Sequence, residues 1–131
     1  MIFVDTGGWF AAYIPSDPDH RVAKAWFVAN RIQLVTTDYV IDELLTLARA
    51  RGESRRAIGL GTQLMAGELC EIEFVRPGDF ARAWDLFVRF DDKAWSFTDC
   101  VSRVVMDRLG INVAFAFDAH FRQFGTVTVV P

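Results

Sequence analysis

Two continuous apolar runs do most to limit what this chain can fold into. Ile2-Phe3-Val4 opens it, and Val113 to Phe117 lies near its end. Neither run alternates with polar residues, so each reads as a buried strand. Each is followed directly by an aspartate, Asp5 and Asp118. Helical patterns and further strands alternate between them. Trp9, Phe10, Ala12 and Tyr13 suggest a short helix broken by Pro15. Asp17 and Pro18 suit the start of a second helix, with Val22, Ala25, Trp26 and Ala29 as its apolar face. Ile32 to Thr36 reads as a strand, and Thr37 or Asp38 can cap the helix that follows. That helix carries Val40, Ile41, Leu44, Leu45, Leu47 and Ala48, so it reads as buried over most of its circumference, and Gly52 lies past its end. Residues 54–67 look helical despite Gly59 and Gly61, and Leu69 to Val75 alternates as a half-buried strand does. Asp79 can cap a helix bearing Phe80, Ala83, Trp84, Phe87 and Val88. Ser96 can cap another, running to Leu109 and stopped by Gly110, and Val127 to Val130 closes as a strand. Strands alternating with helices predict an α/β layered domain with a mainly parallel central sheet, a single domain over residues 1–131.

The hydrophobic fraction of 52% and twelve phenylalanines supply a core for such a domain without disulfides. Cys70 and Cys100 are too few for a cysteine-based zinc cluster and read as small buried apolar residues. No stretch approaches the ~18 apolar residues of a membrane helix. The start lacks the basic and long apolar segments of a signal peptide. A cytoplasmic protein without membrane contact is the expectation. The net charge of −3 argues against bulk attraction to nucleic acid, although bound metal would offset several acids.

Asp5 and Asp118 at strand ends suggest a site, because parallel sheets bind ligands at the carboxyl ends of their strands. Asp99 falls in the first turn of a helix, where it could also complete a capping arrangement with Ser96. Glu43 lies about two turns into a helix that reads as buried, and an unpaired carboxylate there is costly. Its neighbour Asp42 competes for the same role, and periodicity does not separate them. Carboxylates about 4 Å apart repel by roughly 4 kcal/mol per pair at an effective dielectric of about 20. A cluster of them is tolerated only if protonated or bound to cations. Oxygen ligands favour Mg²⁺ or Mn²⁺, which can activate water, neutralise a phosphate and steady a leaving oxygen.

Four segments carry a family likeness: Phe3-Val4-Asp5-Thr6, Val40-Ile41-Asp42-Glu43-Leu44, Ser96-Phe97-Thr98-Asp99-Cys100 and Phe117-Asp118-Ala119-His120-Phe121. In order and spacing, over essentially the whole chain, they resemble the PIN-domain nucleases, and specifically the VapC-type toxins of bacterial toxin–antitoxin pairs. The resemblance implies a three-layer α/β/α PIN-like domain and an endoribonuclease dependent on Mg²⁺ or Mn²⁺. It assigns catalysis and metal binding to Asp5, Glu43, Asp99 and Asp118, with Thr6 and Thr98 supporting them. It also implies an RNA substrate, a homodimer and a cognate antitoxin that blocks the site. Two features depart from the pattern. Gly7-Gly8 stands where the family has better helix formers, so the first helix is expected to start late or flex. His120 stands where some relatives carry another acid.

His120 could contact a substrate phosphate or serve as a turn residue, and His20 reads as surface. Arg49, Arg51, Arg55 and Arg56 form the densest basic cluster. They could bind phosphate or form a solvated face. Trp9, Phe10, Tyr13, Trp26 and Phe27 read mainly as core, with at least two expected at a protein interface. Asp5-Thr6-Gly7 also matches the aspartic-protease triplet, but that fold is all-β. A phosphoaspartyl receiver or phosphatase would need a nearby lysine or a second aspartate at position 7, which is glycine. An RNA-processing nuclease without an antitoxin, and a catalytically idle binding module on the same fold, remain as alternatives.

Overall fold

A computed structural model describes residues 1–131. The strands are β1 (Ile2–Val4), β2 (Leu34–Thr37), β3 (Glu71–Glu73), β4 (Val113–Phe115) and β5 (Thr128–Val130). The helices are α1 (Thr6–Tyr13), α2 (His20–Ala29), α3 (Asp38–Ala50), α4 (Ser54–Met65), α5 (Pro77–Arg89), α6 (Phe97–Leu109) and α7 (Ala119–Arg122). All strands run parallel in the order β3-β2-β1-β4-β5. The chain steps one way from β1 to β3, then crosses to β4 and steps the other way. With right-handed crossovers, α1 to α4 cover one face and α5 to α7 the other. The three α/β/α layers are those expected, and the direction of winding reverses between β1 and β4.

β1 is the middle strand, and Phe3 and Val4 are fully buried. Val4 pairs with Phe115, and the Asp5 N–H donates to the Phe115 carbonyl at 3.2 Å. The strand ends of β1 and β4 are thereby locked together. On the other side, the buried Thr36 hydroxyl donates to the Val4 carbonyl at 2.9 Å.

Several local expectations shift. β4 stops at Phe115 rather than Phe117, although the Ala116 N–H still donates to Val130. β2 begins at Leu34, leaving Ile32 exposed. β3 contracts to three residues because it is an edge strand. Asp17 and Pro18 form a turn, in which the Asp17 carboxylate accepts the Asp19 N–H, and α2 starts only at His20. Its inward residues are Ala23, Trp26 and Phe27, whereas Val22, Ala25 and Ala29 are exposed. His20 is not a free surface residue: its Nδ1 lies 2.8 Å from the Ala11 carbonyl and ties α2 to α1. α3 is buried on one side only, with Asp42, Thr46, Arg49 and Ala50 exposed, and Thr37 caps it by accepting the Val40 N–H. Asp79 is the third residue of α5 rather than its cap. It accepts the Arg76 N–H and pairs with Arg108 of α6 through two hydrogen bonds of 2.8 Å. Ser96 and Gly110 bound α6 as expected.

Trp9 and Phe10 are buried, and Tyr13, Trp26 and Phe27 pack on the core around Phe115. The expected interface role fails for Trp9 and Phe10. The exposed aromatics are instead Phe74, just after β3, and Phe80, Trp84 and Phe87 on α5. Cys70 and Cys100 are buried and free.

The paired glycines have a packing reason. α1 starts at Thr6, without delay. A Cβ at Gly8 would stand 2.6 Å from the Phe115 ring and 2.7 Å from its carbonyl oxygen. Only glycine lets α1 descend this close to β4. A Gly8→Ala substitution should therefore destabilise the protein by about 1–3 kcal/mol despite the better helix propensity of alanine. Urea unfolding measures this directly, and a stability equal to or above that of the parent would refute the close approach.

Candidate metal centre at the strand-end rim

Asp5 sits at the boundary between β1 and α1, next to the point where the winding reverses. It is a carboxylate held only 5% exposed with no cation beside it. Its pKa is pushed up to about 8, first by burial and then by the charge of Asp99. Glu43 and Asp118 push in the same direction, while the Thr6 backbone N–H pulls the other way. The other three sequence-identified acids therefore all act on Asp5. Asp42 does not act on Asp5: it points to solvent, whereas Glu43 lies half-buried on the inward flank of α3.

The four are not equivalent. Asp99 is buried in the first turn of α6. There it accepts the Ser96 N–H at 3.0 Å, while the Asp99 N–H donates to the Ser96 hydroxyl at 3.0 Å. Asp118 is exposed and caps α7, accepting the His120 N–H at 2.7 Å. His120 also places Nδ1 2.8 Å from Asp99 Oδ2 and 3.2 Å from Asp118 Oδ1. The sequence offered no sign of this bridge, which depends on α7 folding back over α6. Thr6 is buried beside Asp5, and its hydroxyl has no hydrogen-bond partner. Thr98 is half-buried at the start of α6.

A hard divalent cation fits this donor set. The acids supply only oxygen, Asp5 lacks a counter-charge, and the orphaned Thr6 hydroxyl can meet a coordinated water. No three His, Cys, Asp or Glu side chains form a ready-made shell, so holding an ion would require the carboxylates to draw together. None of the five principal cavities is lined by the four acids.

The basic cluster lies elsewhere. Arg49 and Arg51 stand at the far end of α3 from the rim, and Arg55 and Arg56 open α4. Arg49 donates to the Ser54 hydroxyl at 3.3 Å, Arg51 stacks over Phe10, and Arg56 pairs with Glu53. Arg55 is exposed and unpaired.

A five-stranded parallel sheet flanked by helices, with a buried aspartate at the end of its middle strand, defines an α/β/α domain of the PIN-like class. The chain belongs to the PIN domain family, whose model matches residues 2–127. It is 34% identical over 131 residues to the 23S rRNA-specific endonuclease VapC20 of Mycobacterium tuberculosis, strains CDC 1551 / Oshkosh and ATCC 25618 / H37Rv. That match covers 100% of this chain and 99% of the relative. The crystal structure of Mycobacterium tuberculosis VapC20, described as a sarcin-ricin loop cleaving toxin, superposes with a TM-score of 0.92 at 33% identity over the full length of both chains. FitAcB from Neisseria gonorrhoeae shares the fold, with a TM-score of 0.69 at 16% identity over 100% of this chain and 97% of that one.

Asp5 carries a testable signature. Unfolded, it ionises near pH 4; folded, it holds its proton to about 8. Between those values the unfolded state has lost the proton and the folded state keeps it. This group's contribution to stability is therefore full below pH ~4 and declines by about 1.4 kcal/mol per pH unit as pH rises toward 8. Urea unfolding in EDTA from pH 5 to 8 should show a shallower decline for Asp5→Asn than for the parent. Parallel profiles would contradict the assignment.

Proposed function

We propose that the chain is an endoribonuclease that hydrolyses RNA phosphodiester bonds with Mg²⁺ or Mn²⁺ and serves as the toxin of a toxin–antitoxin pair. The observation that carries this reading is Asp5, a buried carboxylate crowded by Asp99, Glu43 and Asp118 at the switch point of the sheet. Full-length likeness to a 23S rRNA-specific endonuclease supports RNA, and the sarcin-ricin loop in particular, as substrate.

Asp5, Glu43, Asp99 and Asp118 would hold the ion. When bound, the ion supplies Lewis-acid charge that activates water and stabilises a phosphoryl group in displacement. The protein's own contribution is placement. Asp5 is fixed by burial at the end of the central strand. Asp99 is fixed by its reciprocal bonds with Ser96. The Thr6 hydroxyl orients a water beside Asp5, and Thr98 supports the same turn as Asp99. Asp118 is exposed and meets the substrate at the mouth of the site. His120 lies within reach of a bound phosphate. Arg49, Arg51, Arg55 and Arg56 contact the backbone of a long RNA away from the cut, which makes binding salt-dependent. Blockade by a cognate antitoxin, pairing of two copies and action in the cytoplasm belong to the same reading.

The test is cleavage of a sarcin-ricin loop RNA in Mn²⁺. Asp5→Asn and Asp99→Asn should each lower the rate at least ~100-fold, about 2.7 kcal/mol of transition-state stabilisation. Full activity in either variant overturns the site.

A further inference from the structure

His120 bonds Asp99 through a ring nitrogen that also stands close to Asp118. Nδ1 lies 2.8 Å from Asp99 Oδ2 and 3.2 Å from Asp118 Oδ1. Carboxylates only accept hydrogen bonds, so Nδ1 carries the proton and donates to Asp99 Oδ2, while Asp118 Oδ1 is a close neighbour outside hydrogen-bond geometry. Asp99 Oδ2 also accepts the Ser96 N–H, and Asp118 Oδ1 also accepts the His120 N–H. One oxygen of each carboxylate is thus engaged by the protein. Asp99 Oδ1 and Asp118 Oδ2 receive no hydrogen bond from it. The short turn α7 that carries His120 is anchored by Phe121, which is fully buried and stacks on Phe3 of the central strand at 6.3 Å.

We propose that His120 is a positioning residue: its Nδ1–H holds Asp99 in the rotation that leaves Asp99 Oδ1 free for a divalent cation. The inference rests on the metal reading of the site. Hydrogen bonds to ligating side chains fix their orientation, and losing one lowers metal affinity by roughly 10–100-fold. The competing role has the opposite sign. An imidazole standing in the place of an ion would be relieved by its removal, and metal would then bind more tightly.

Isothermal titration with Mn²⁺ alone, in the absence of RNA, reads the difference. His120→Ala should weaken Mn²⁺ binding 10–100-fold. His120→Asn should recover most of that loss, because the asparagine amide nitrogen falls near the Nδ1 position. His120→Gln should not, because its amide nitrogen falls near Nε2. A general packing role would not distinguish the two amides. If His120→Ala folds poorly, the Asn and Gln variants alone carry the comparison. Unchanged or tighter binding in His120→Ala, or equal affinities in His120→Asn and His120→Gln, overturns the clamp while leaving the metal site standing. Absence of Mn²⁺ binding by the unmodified protein overturns both.

Discussion

Burial of a carboxylate at the end of the central strand sets the terms for the rest of this molecule. β1 is paired on both sides and covered on both faces, so its side chains leave water whatever their chemistry. Asp5 comes directly after it and is nearly as buried as the apolar residues before it. Three other acids converge there from α3, α6 and the end of β4. The fold thus holds an arrangement that works against its own stability, and raises the pKa of Asp5 to about 8. Strongly perturbed acids of this kind concentrate at functional sites.

Asp79 shows how the same protein treats a buried carboxylate that serves structure. It is 2% exposed, against 5% for Asp5. Arg108 reaches it with two hydrogen bonds, bonds Glu73 as well, and joins α6 to α5 and β3. The pairing draws Asp79 below the usual carboxylate range. Asp79 is drawn down chiefly by its Arg108 hydrogen bonds, whereas Asp5 is pushed up chiefly by burial and then by its acidic neighbours. The missing cation at Asp5 is what a divalent ion would supply.

Much of this was legible in the sequence, because the strongest signals were local. The uninterrupted runs at Ile2–Val4 and Val113–Phe117 marked buried strands, and Asp5 marked the end of β1, whereas β4 ends at Phe115 and Asp118 caps α7. Ser96 with Asp99, and Gly110, bounded α6 through capping chemistry that depends on a few neighbouring residues. What could not be read depended on contacts between distant segments. The inward face of α2 is set by Phe115 across the sheet, so Phe27 turned in while Val22 and Ala29 turned out. Gly7-Gly8 looked like a weak helix start until the Phe115 backbone supplied a reason for Gly8. Asp79 looked like a cap because Arg108 lies 29 positions away. Asp42 and Glu43 were indistinguishable until α3 was packed. The His120 bridge required α7 to fold back onto α6.

The central claim is that Asp5, Glu43, Asp99 and Asp118 together hold a divalent ion. Anomalous scattering from a crystal soaked in Mn²⁺ tests it most directly. The account predicts a Mn²⁺ peak at the rim between β1 and β4, with oxygens of these carboxylates at roughly 2.0–2.4 Å. A well-ordered, Mn²⁺-saturated crystal without a peak at that rim, or with Mn²⁺ bound only elsewhere on the surface, would contradict it.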